Sequence, residues 1–301
     1  MAKAITAGLL MGLVFGLVAL GLTIIFGVMD IVNFAHGEFL MIGMYAGLLT
    51  ATVFGLDPLF GLPVAAVVGF ALGIACYYGL VRFLLRGPMV AQLFGTFGLM
   101  LFLRNVALLI MGADPQSVHS GLLVGKSFVL GPGIVIEVTK LAAGGLSLLA
   151  FGFMWWVMKR TKIGKALTAT ALDAQAARYM GIPTERMNSL AWGLGGATVG
   201  MAGALLLNFW PVEPNVGLLF TMIAFATVAL GGFGSISGAA VAGLIVGLLI
   251  NIPSMWDAFS MLIGGDRLQV GLLHQFKYSF VYAAYFLIMV FRPRGLFGWK
   301  H

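Results

Sequence analysis

The sequence predicts an all-α integral membrane protein, a polytopic bundle of eight or nine transmembrane helices that forms one transmembrane domain over residues 1–301. Apolar residues make up 61% of the chain and charged residues only 9%, whereas soluble proteins have about 45–50% and about 25%. So few charges cannot cover the surface of a soluble protein of this length, because large exposed apolar patches drive association. The composition therefore excludes a soluble protein.

Apolar stretches long enough to cross a membrane recur along the whole chain. A transmembrane helix needs about 20 predominantly apolar residues. Nine stretches qualify: 4–29, 39–55, 59–81, 89–111, 141–158, 189–207, 216–230, 237–252 and 276–291. Several have only 15 to 17 residues, which suits a short span or a half-helix buried by protein. The predicted number of spans is therefore eight or nine.

The basic residues predict the orientation of these spans. Six of the 17 Lys and Arg residues lie in 159–188, between the fifth and sixth stretches. The positive-inside rule places this loop in the cytoplasm, and alternation of the spans then also places Arg82 and Arg86 there. The net charge of +7 thus largely reflects the basic residues that orient the chain in the membrane. We expect membrane lipid around the chain and no nucleic-acid partner.

The cytoplasmic loop 159–188 contains a predicted helix. Residues 167–180 lack Pro and Gly and are rich in Ala, which favours a helix. Gly181 fits the position after the helix C-terminus, and Pro183 prevents its continuation. One face is apolar, so the helix either lies among the lipid head groups or docks into a cytosolic partner. Ala176 and Ala177 are small enough to let such a partner approach closely.

A polar segment interrupts what is otherwise a hydrophobic stretch from residue 4 to residue 55. It contains four polar side chains: Asp30, Asn33, His36 and Glu38. The segment is either a short cytoplasmic turn or a broken helix near residues 27–38, at membrane depth, whose free backbone groups face a translocation path. Ionisable groups inside a membrane are functional candidates. His36 is either a pH-responsive group or a buried structural histidine.

Two further places carry polar or aromatic residues of interest. Arg104 interrupts the fourth stretch near its outer end, where it either extends to the membrane interface or attracts a substrate carboxylate. Trp210 and Glu213 lie in segment 208–215, which the topology places outside. Trp210 fits the aromatic belt at the interface, or both residues contact an external protein, which the resemblance given below would make a substrate-binding protein.

The sequence does not favour catalysis. The His, Cys, Asp and Glu residues lack the spacing of a metal site, and no nucleophile–base pair is recognisable. We therefore expect no enzymatic activity, no metal and no cofactor in this chain.

Four segments carry a resemblance to a known family. They are GLTIIFGVMDIVNFAHGEFLMIGMYAG at 21–47, with NFAHGE at 33–38, DAQAARYMGI at 173–182, VALGGFGSISGAAVAGLIVG at 228–247 and FRPRGLFG at 291–298. In this order they resemble the branched-chain amino acid permeases of bacterial ABC importers, and DAQAARYMGI resembles the coupling loop of such permeases.

The resemblance implies a set of partners and a place in the cell. The chain would pair with a homologous permease subunit in the bacterial plasma (inner) membrane. Two cytosolic ATP-binding cassette subunits would bind ATP and power the import, and a periplasmic or extracellular binding protein would deliver the substrate. The substrates would be branched-chain or related amino acids; the alternatives are urea, amides or aromatic acids.

The resemblance also implies roles for particular residues. The translocation path would be lined by Asn33, His36 and Glu38. Coupling to the ATPase would involve Asp173, Ala176, Ala177, Gly181 and Ile182. A self-sufficient secondary transporter is the less favoured alternative, because it would more often show paired intramembrane carboxylates or a clear inverted repeat.

Overall fold

The computed structural model describes residues 2–55, 57–118, 123, 126–131, 134–256, 276–292 and 295–298. Most of these residues are helical. The helices are α1 Ala2–Met29, α2 His36–Phe54, α3 Leu62–Cys76, α4 Arg82–Leu84, α5 Met89–Met111, α6 Val138–Arg160, α7 Lys162–Leu172, α8 Ala174–Tyr179, α9 Thr184–Leu206, α10 Val216–Gly231, α11 Ile236–Ile250 and α12 Lys277–Phe291. A 3₁₀ turn, Pro58–Gly61, precedes α3, and a π-helical turn, Tyr77–Val81, joins α3 to α4. The strands β1 Ser127–Gly131 and β2 Ile134–Glu137 pair as an antiparallel hairpin.

The predicted all-α membrane fold is confirmed. Within the part of the chain that the structure describes, six helical segments are long and apolar enough to cross a membrane: α1, α2, the continuous segment Pro58–Leu84, α5, α6 and α9. Three shorter apolar helices, α10, α11 and α12, account for the remaining predicted stretches. Each of the nine stretches thus coincides with a helix.

Helix α9 lies at the centre and packs against α1, α2 and α3. Glycines allow this packing: a Cβ on Gly43 would lie 2.6 Å from Gly200 Cα, and one on Gly21 would lie 2.7 Å from the Gly195 carbonyl oxygen. Helices in lipid gain little hydrophobic energy by pairing, so close backbone approach and van der Waals contact must hold them together. Trp192 of α9 is fully buried within this core.

Helix α2 begins beside the middle of α1 rather than at its end. The ring of His36 contacts the carbonyl oxygen of Val18, and α1 continues to Met29. Eleven residues of helix correspond to about 16 Å, a rise that six or seven extended residues can span. The second turn of α10 lies at the same depth, because Gly37 N donates to Thr221 Oγ1 at 3.0 Å.

The loop 159–188 contains two helices, α7 and α8, so the prediction of one helix over 167–180 is wrong. Asp173 leaves the helical region with φ −157° and ψ 102°, and its carboxylate accepts hydrogen bonds from the N–H groups of Gln175 and Ala176. Aspartate favours such an N-cap over a helix interior, because its side chain competes for backbone N–H groups. The predicted end is confirmed: Gly181 has φ +81°, and Ile182 N donates to Ala177 O.

Candidate functional site

The predicted break near residues 27–38 is confirmed, and its start and finish lie at different depths. Residues 30–35 are not helical. Asp30, with φ +54°, lines a cleft at the C-terminal end of α1, whereas α2 begins half-way along α1. Asn33 forms a turn just before α2: its Oδ1 accepts from Ala35 N at 3.0 Å, and its carbonyl oxygen accepts from His36 N at 3.3 Å. The burial of Asn33, His36 and Glu38 favours the broken helix over a short turn with solvated polar groups.

His36 ties the start of α2 to α1. Its Nε2 lies 3.0 Å from the Val18 carbonyl oxygen, and a carbonyl oxygen can only accept, so Nε2 must carry the proton. The side chain is buried. Gly21 provides the space, because a Cβ there would lie 3.2 Å from His36 Cε1. The contact fixes the height at which α2 begins.

Glu38 forms a buried ion pair with Arg104. Arg104 Nη2 donates to Glu38 Oε1 at 2.7 Å, with the Glu38 side chain 0% and the Arg104 side chain 17% exposed. The interpretation that Arg104 extends to the membrane interface is therefore wrong, because the guanidinium reaches inward to α2. Within the described part of the chain, Glu38 Oε2 and Arg104 Nε have no hydrogen-bond partner. Gly217 makes room for the carboxylate, since a Cβ there would lie 2.5 Å from Oε2.

Sequence reasoning missed this pair although a signal was present. Among Asp, Glu, Lys and Arg, α2 contains only Glu38 and α5 contains only Arg104. Two isolated opposite charges in separate apolar helices are expected to pair, because an unpaired charge in hydrocarbon is costly. The pair joins the break to α5.

A second candidate site lies at the end of the bundle where α1 and α6 finish. A cleft of about 650 Å³ is lined by the ends of α1 and α6, the junction of α7 and α8, and residues 233–237. At the C-terminal end of α8, Tyr179 is 79% and Met180 is 82% exposed. Leu172, at the end of α7, is also exposed. This exposed apolar group lies next to the predicted coupling residues.

The predicted coupling residues do not share one environment. Asp173, Ala176 and Gly181 are exposed, Ile182 is half-buried and Ala177 is buried inside this chain. The small size of Ala177 therefore serves the packing of α8 against the chain itself.

Trp210 and Glu213 make internal contacts near the start of α10. The Trp210 ring packs edge-on against Phe220, with centroids 6.0 Å apart, and Lys277 Nζ lies 4.8 Å from its centroid. The backbone oxygen of Glu213 accepts from Val216 N at 3.1 Å. Their contact with a binding protein stays a prediction. Among the residues that the structure describes, no three His, Cys, Asp or Glu side chains form a group that could hold a metal ion.

Comparison with known proteins assigns the chain to a group of transport proteins. The family described as branched-chain amino acid transport system, permease component, matches residues 4–268. The high-affinity branched-chain amino acid permease BraD of Pseudomonas aeruginosa is 29% identical over 304 residues, covering 97% of this chain and 94% of that protein. LivH of Escherichia coli is 29% identical, covering 97% and 93%. The autoinducer 2 permease LsrC of E. coli is 28% identical over 66% of this chain and 60% of LsrC. No solved structure matches the chain.

Proposed function

Because the chain belongs to the branched-chain amino acid transport permease family, and is thus a multi-pass plasma-membrane permease component of an ABC importer, we propose that it forms half of a path for branched-chain or related amino acids. The names of its relatives support this substrate class. A homologous permease subunit completes the membrane core. Two cytosolic ATPase subunits bind the ATP, and an external binding protein delivers the substrate.

The observation that carries the proposal is the break at residues 30–35, together with the buried pair Glu38–Arg104. Irregular backbone at membrane depth is tolerated only where protein buries it or where it lines a cavity. Transporters place substrate sites at such breaks, where helix ends and polar side chains meet near the midplane. Asn33 and His36 hold the backbone in place, and Glu38 supplies charge toward α5. These three residues are the proposed part of the path.

The cytoplasmic loop is the proposed coupling element. Helix α7 packs against α1, α6 and α9, with Leu167 fully buried, so a force on the loop reaches the helices that support the break. The exposed side chains Leu172, Tyr179 and Met180 provide an apolar surface for the ATPase. ATP can shift the balance between inward-facing and outward-facing states only through contacts that differ between them. Docking of α8, with Asp173, Ala176, Gly181 and Ile182 around it, supplies such a contact.

The test is ATP-dependent uptake by the complete complex in proteoliposomes, with the binding protein added outside. We expect accumulation of leucine, valine or isoleucine in the native complex. A Tyr179→Ala, Met180→Ser variant should lose at least about 90% of uptake while the chain still inserts into the membrane. Tyr282→Ala, a Tyr truncation on the exposed side of α12, is the matched control and should transport normally. Undiminished uptake by the double variant contradicts the coupling role.

The orientation of the loop is tested separately by thiol labelling. Cys76 is buried, so a Cys76→Ala background allows a single cysteine at the exposed position Gln175 to be probed. We expect labelling only from the cytoplasmic side. Labelling by an impermeant reagent from outside overturns the coupling proposal.

Alternative cargoes are distinguished in the same vesicles. The similarity to LsrC shows that relatives include an importer of a different kind of molecule. Urea, amides and aromatic acids are therefore offered as competitors of leucine uptake. Competition by one of these, with no competition by valine or isoleucine, favours that alternative class.

A further inference from the structure

We propose that the basic corner between α6 and α7 binds the head group of an anionic phospholipid. The basic corner comprises residues 153–165, which are the last two turns of α6 and the first turn of α7. The site needs only that α6 crosses a membrane, so it does not depend on which cargo the chain transports. It gives a partner to a charged surface that the proposed path leaves unused.

Four basic residues are concentrated at this corner: Lys159, Arg160, Lys162 and Lys165. All four are exposed, and no Asp or Glu occurs in the sequence from position 138 to position 172. In the ranges that the structure describes, both ion pairs involve other residues. The corner is therefore strongly basic, and its charges are not neutralised by ion pairs within the described chain.

The four residues divide between two surfaces. Lys159 lines the cleft at the end of α1 together with Asp30, whereas Arg160, Lys162 and Lys165 lie outside that cleft. These last three form no hydrogen bond, ion pair or ring contact through their side chains in the described part of the chain. They are the residues that can attract an anion from outside the bundle.

Other basic residues of the chain already have internal contacts. Arg178 donates to Thr184 Oγ1 through Nε and Nη2, at 3.2 and 3.0 Å. The guanidinium of Arg82 lies 4.6 Å from the ring centroid of Phe83. An exposed group of basic side chains without such contacts therefore distinguishes the corner.

Aromatic side chains on α6 place the corner at the surface of the membrane. Phe153 and Trp156 are 58% and 52% exposed, and their rings stack with centroids 6.2 Å apart. Arg160 follows Trp156 by one turn on the same face of α6. Tryptophan concentrates at the level of the lipid head groups, and basic residues immediately beyond a transmembrane helix attract anionic lipids. The order of ring pair, arginine and lysines fits acyl chains first and a head group after them.

The turn from α6 into α7 is held by local contacts. Thr161 Oγ1 donates to Val157 O at 2.6 Å and accepts from Gly164 N at 3.1 Å. A Cβ on Gly164 would overlap the carbonyl oxygen of Met158, so the first turn of α7 lies directly against the end of α6. The basic residues on both sides of the turn are therefore held at one corner.

Helix α7 presents its lysines away from the bundle. Its buried residues are Gly164, Leu167 and Thr170, and at about 3.6 residues per turn Lys162 and Lys165 lie on the opposite face. A helix with one packed face and lysines on the other is suited to the membrane interface. The interruption at the end of α7 thus lets the two helices of the loop serve different partners, lipid for α7 and the ATPase for α8.

The test measures lipid binding to the purified full-length chain in a neutral detergent. An environment-sensitive fluorophore is attached to Ile163→Cys, at an exposed position between the two lysines, in a Cys76→Ala background. Short-chain phosphatidylglycerol is titrated in. Each basic residue near an anionic lipid contributes about 1 kcal/mol, about fivefold in affinity. Lys162→Gln with Lys165→Gln should therefore raise the midpoint about thirtyfold, and arginine at both positions should restore it.

A matched variant controls for net charge. Arg86→Gln with Arg186→Gln removes two exposed basic residues outside the corner and should leave the midpoint unchanged. Phosphatidylcholine should give no response, because it lacks net charge. Glycerol phosphate should also give none at the same concentrations, because it has no acyl chains to contact Phe153 and Trp156.

Three results would overturn the lipid site. One is a midpoint that is the same in the native chain and in the lysine variant. Another is an equal loss of binding in the arginine control, which would mean that net charge alone attracts the lipid. The third is shielding of the fluorophore by the ATPase subunits in the assembled complex, with no response to phosphatidylglycerol, which would assign the corner to those subunits. None of these results bears on ATP-dependent uptake, which tests the transport function separately.

Discussion

Removal of the guanidinium from the buried pair should destabilise the protein strongly. In an Arg104→Met variant the aliphatic stem is kept, but Glu38 Oε1 loses its 2.7 Å partner and a fully buried carboxylate remains. Breaking a buried ion pair in this way costs about 3–5 kcal/mol in the free energy of unfolding. Replacement of both partners, in Glu38→Met with Arg104→Met, removes both charges and should bring stability back to within about 1 kcal/mol of the native chain.

The assay is denaturant unfolding of the purified chain in detergent, followed by circular dichroism, for both single variants and the double variant. A second ion pair offers the control. Lys140 Nζ lies 3.0 Å from Glu137 Oε1, and both side chains are accessible. Lys140→Met should therefore cost less than about 1 kcal/mol. The difference between the two pairs isolates the effect of burial.

Two results would refute the reasoning. Equal costs for Arg104→Met and Lys140→Met would mean that Glu38 is not an isolated buried charge once its partner is gone. A double variant as unstable as Arg104→Met would mean that the loss comes from side-chain packing rather than from the unpaired carboxylate.

Three further predictions concern the backbone. In the same unfolding assay, Gly43→Ala should lower the free energy of unfolding by about 1–3 kcal/mol, because its Cβ would overlap Gly200. Gly98→Ala is the control and should be tolerated, because a Cβ at Gly98 meets no atom within 4 Å. Asp173→Ala should destabilise α8 by about 1 kcal/mol. The loss should appear as faster hydrogen exchange of the Gln175 and Ala176 amides. Asp173→Asn should keep most of the protection of these amides from exchange. Gly181→Val should destabilise the turn at the end of α8 by about 1–2 kcal/mol, because φ is +81° there. The variant should insert into the membrane but show reduced uptake. Normal uptake would contradict a need for this turn.

Most of the helical framework could be predicted because hydrophobic length is a strong signal. Within the described residues, each of the nine apolar stretches coincides with a helix, and the helical part of the loop 159–188 ends before Gly181 as the pattern indicates. The error at Asp173 has a local cause. Alanine-rich sequence on both sides favours one helix, but a single aspartate in a capping conformation is enough to end α7 and start α8.

The depth of the break and the partner of Arg104 could not be predicted from local sequence. The polar residues 30–38 fit a cytoplasmic turn as well as a break, and only the contact between His36 and Val18 places the start of α2 half-way along α1. Arg104 lies near the end of an apolar stretch, where extension to the interface is common. Its partner is 66 positions earlier in the chain, beyond the reach of any local pattern.

The packing of α5 differs from that of the helices around α9. Helices α1, α2, α3 and α9 meet through backbone contacts at glycines, and such contacts leave little freedom because close-packed interiors do not deform smoothly. Helix α5 is mostly exposed and has two polar ties to the break region: Thr96 Oγ1 donates to Val32 O at 3.1 Å, and Arg104 pairs with Glu38. A displacement of α5 would therefore act first on the break and on the start of α2, through the Thr96–Val32 hydrogen bond and the Glu38–Arg104 ion pair.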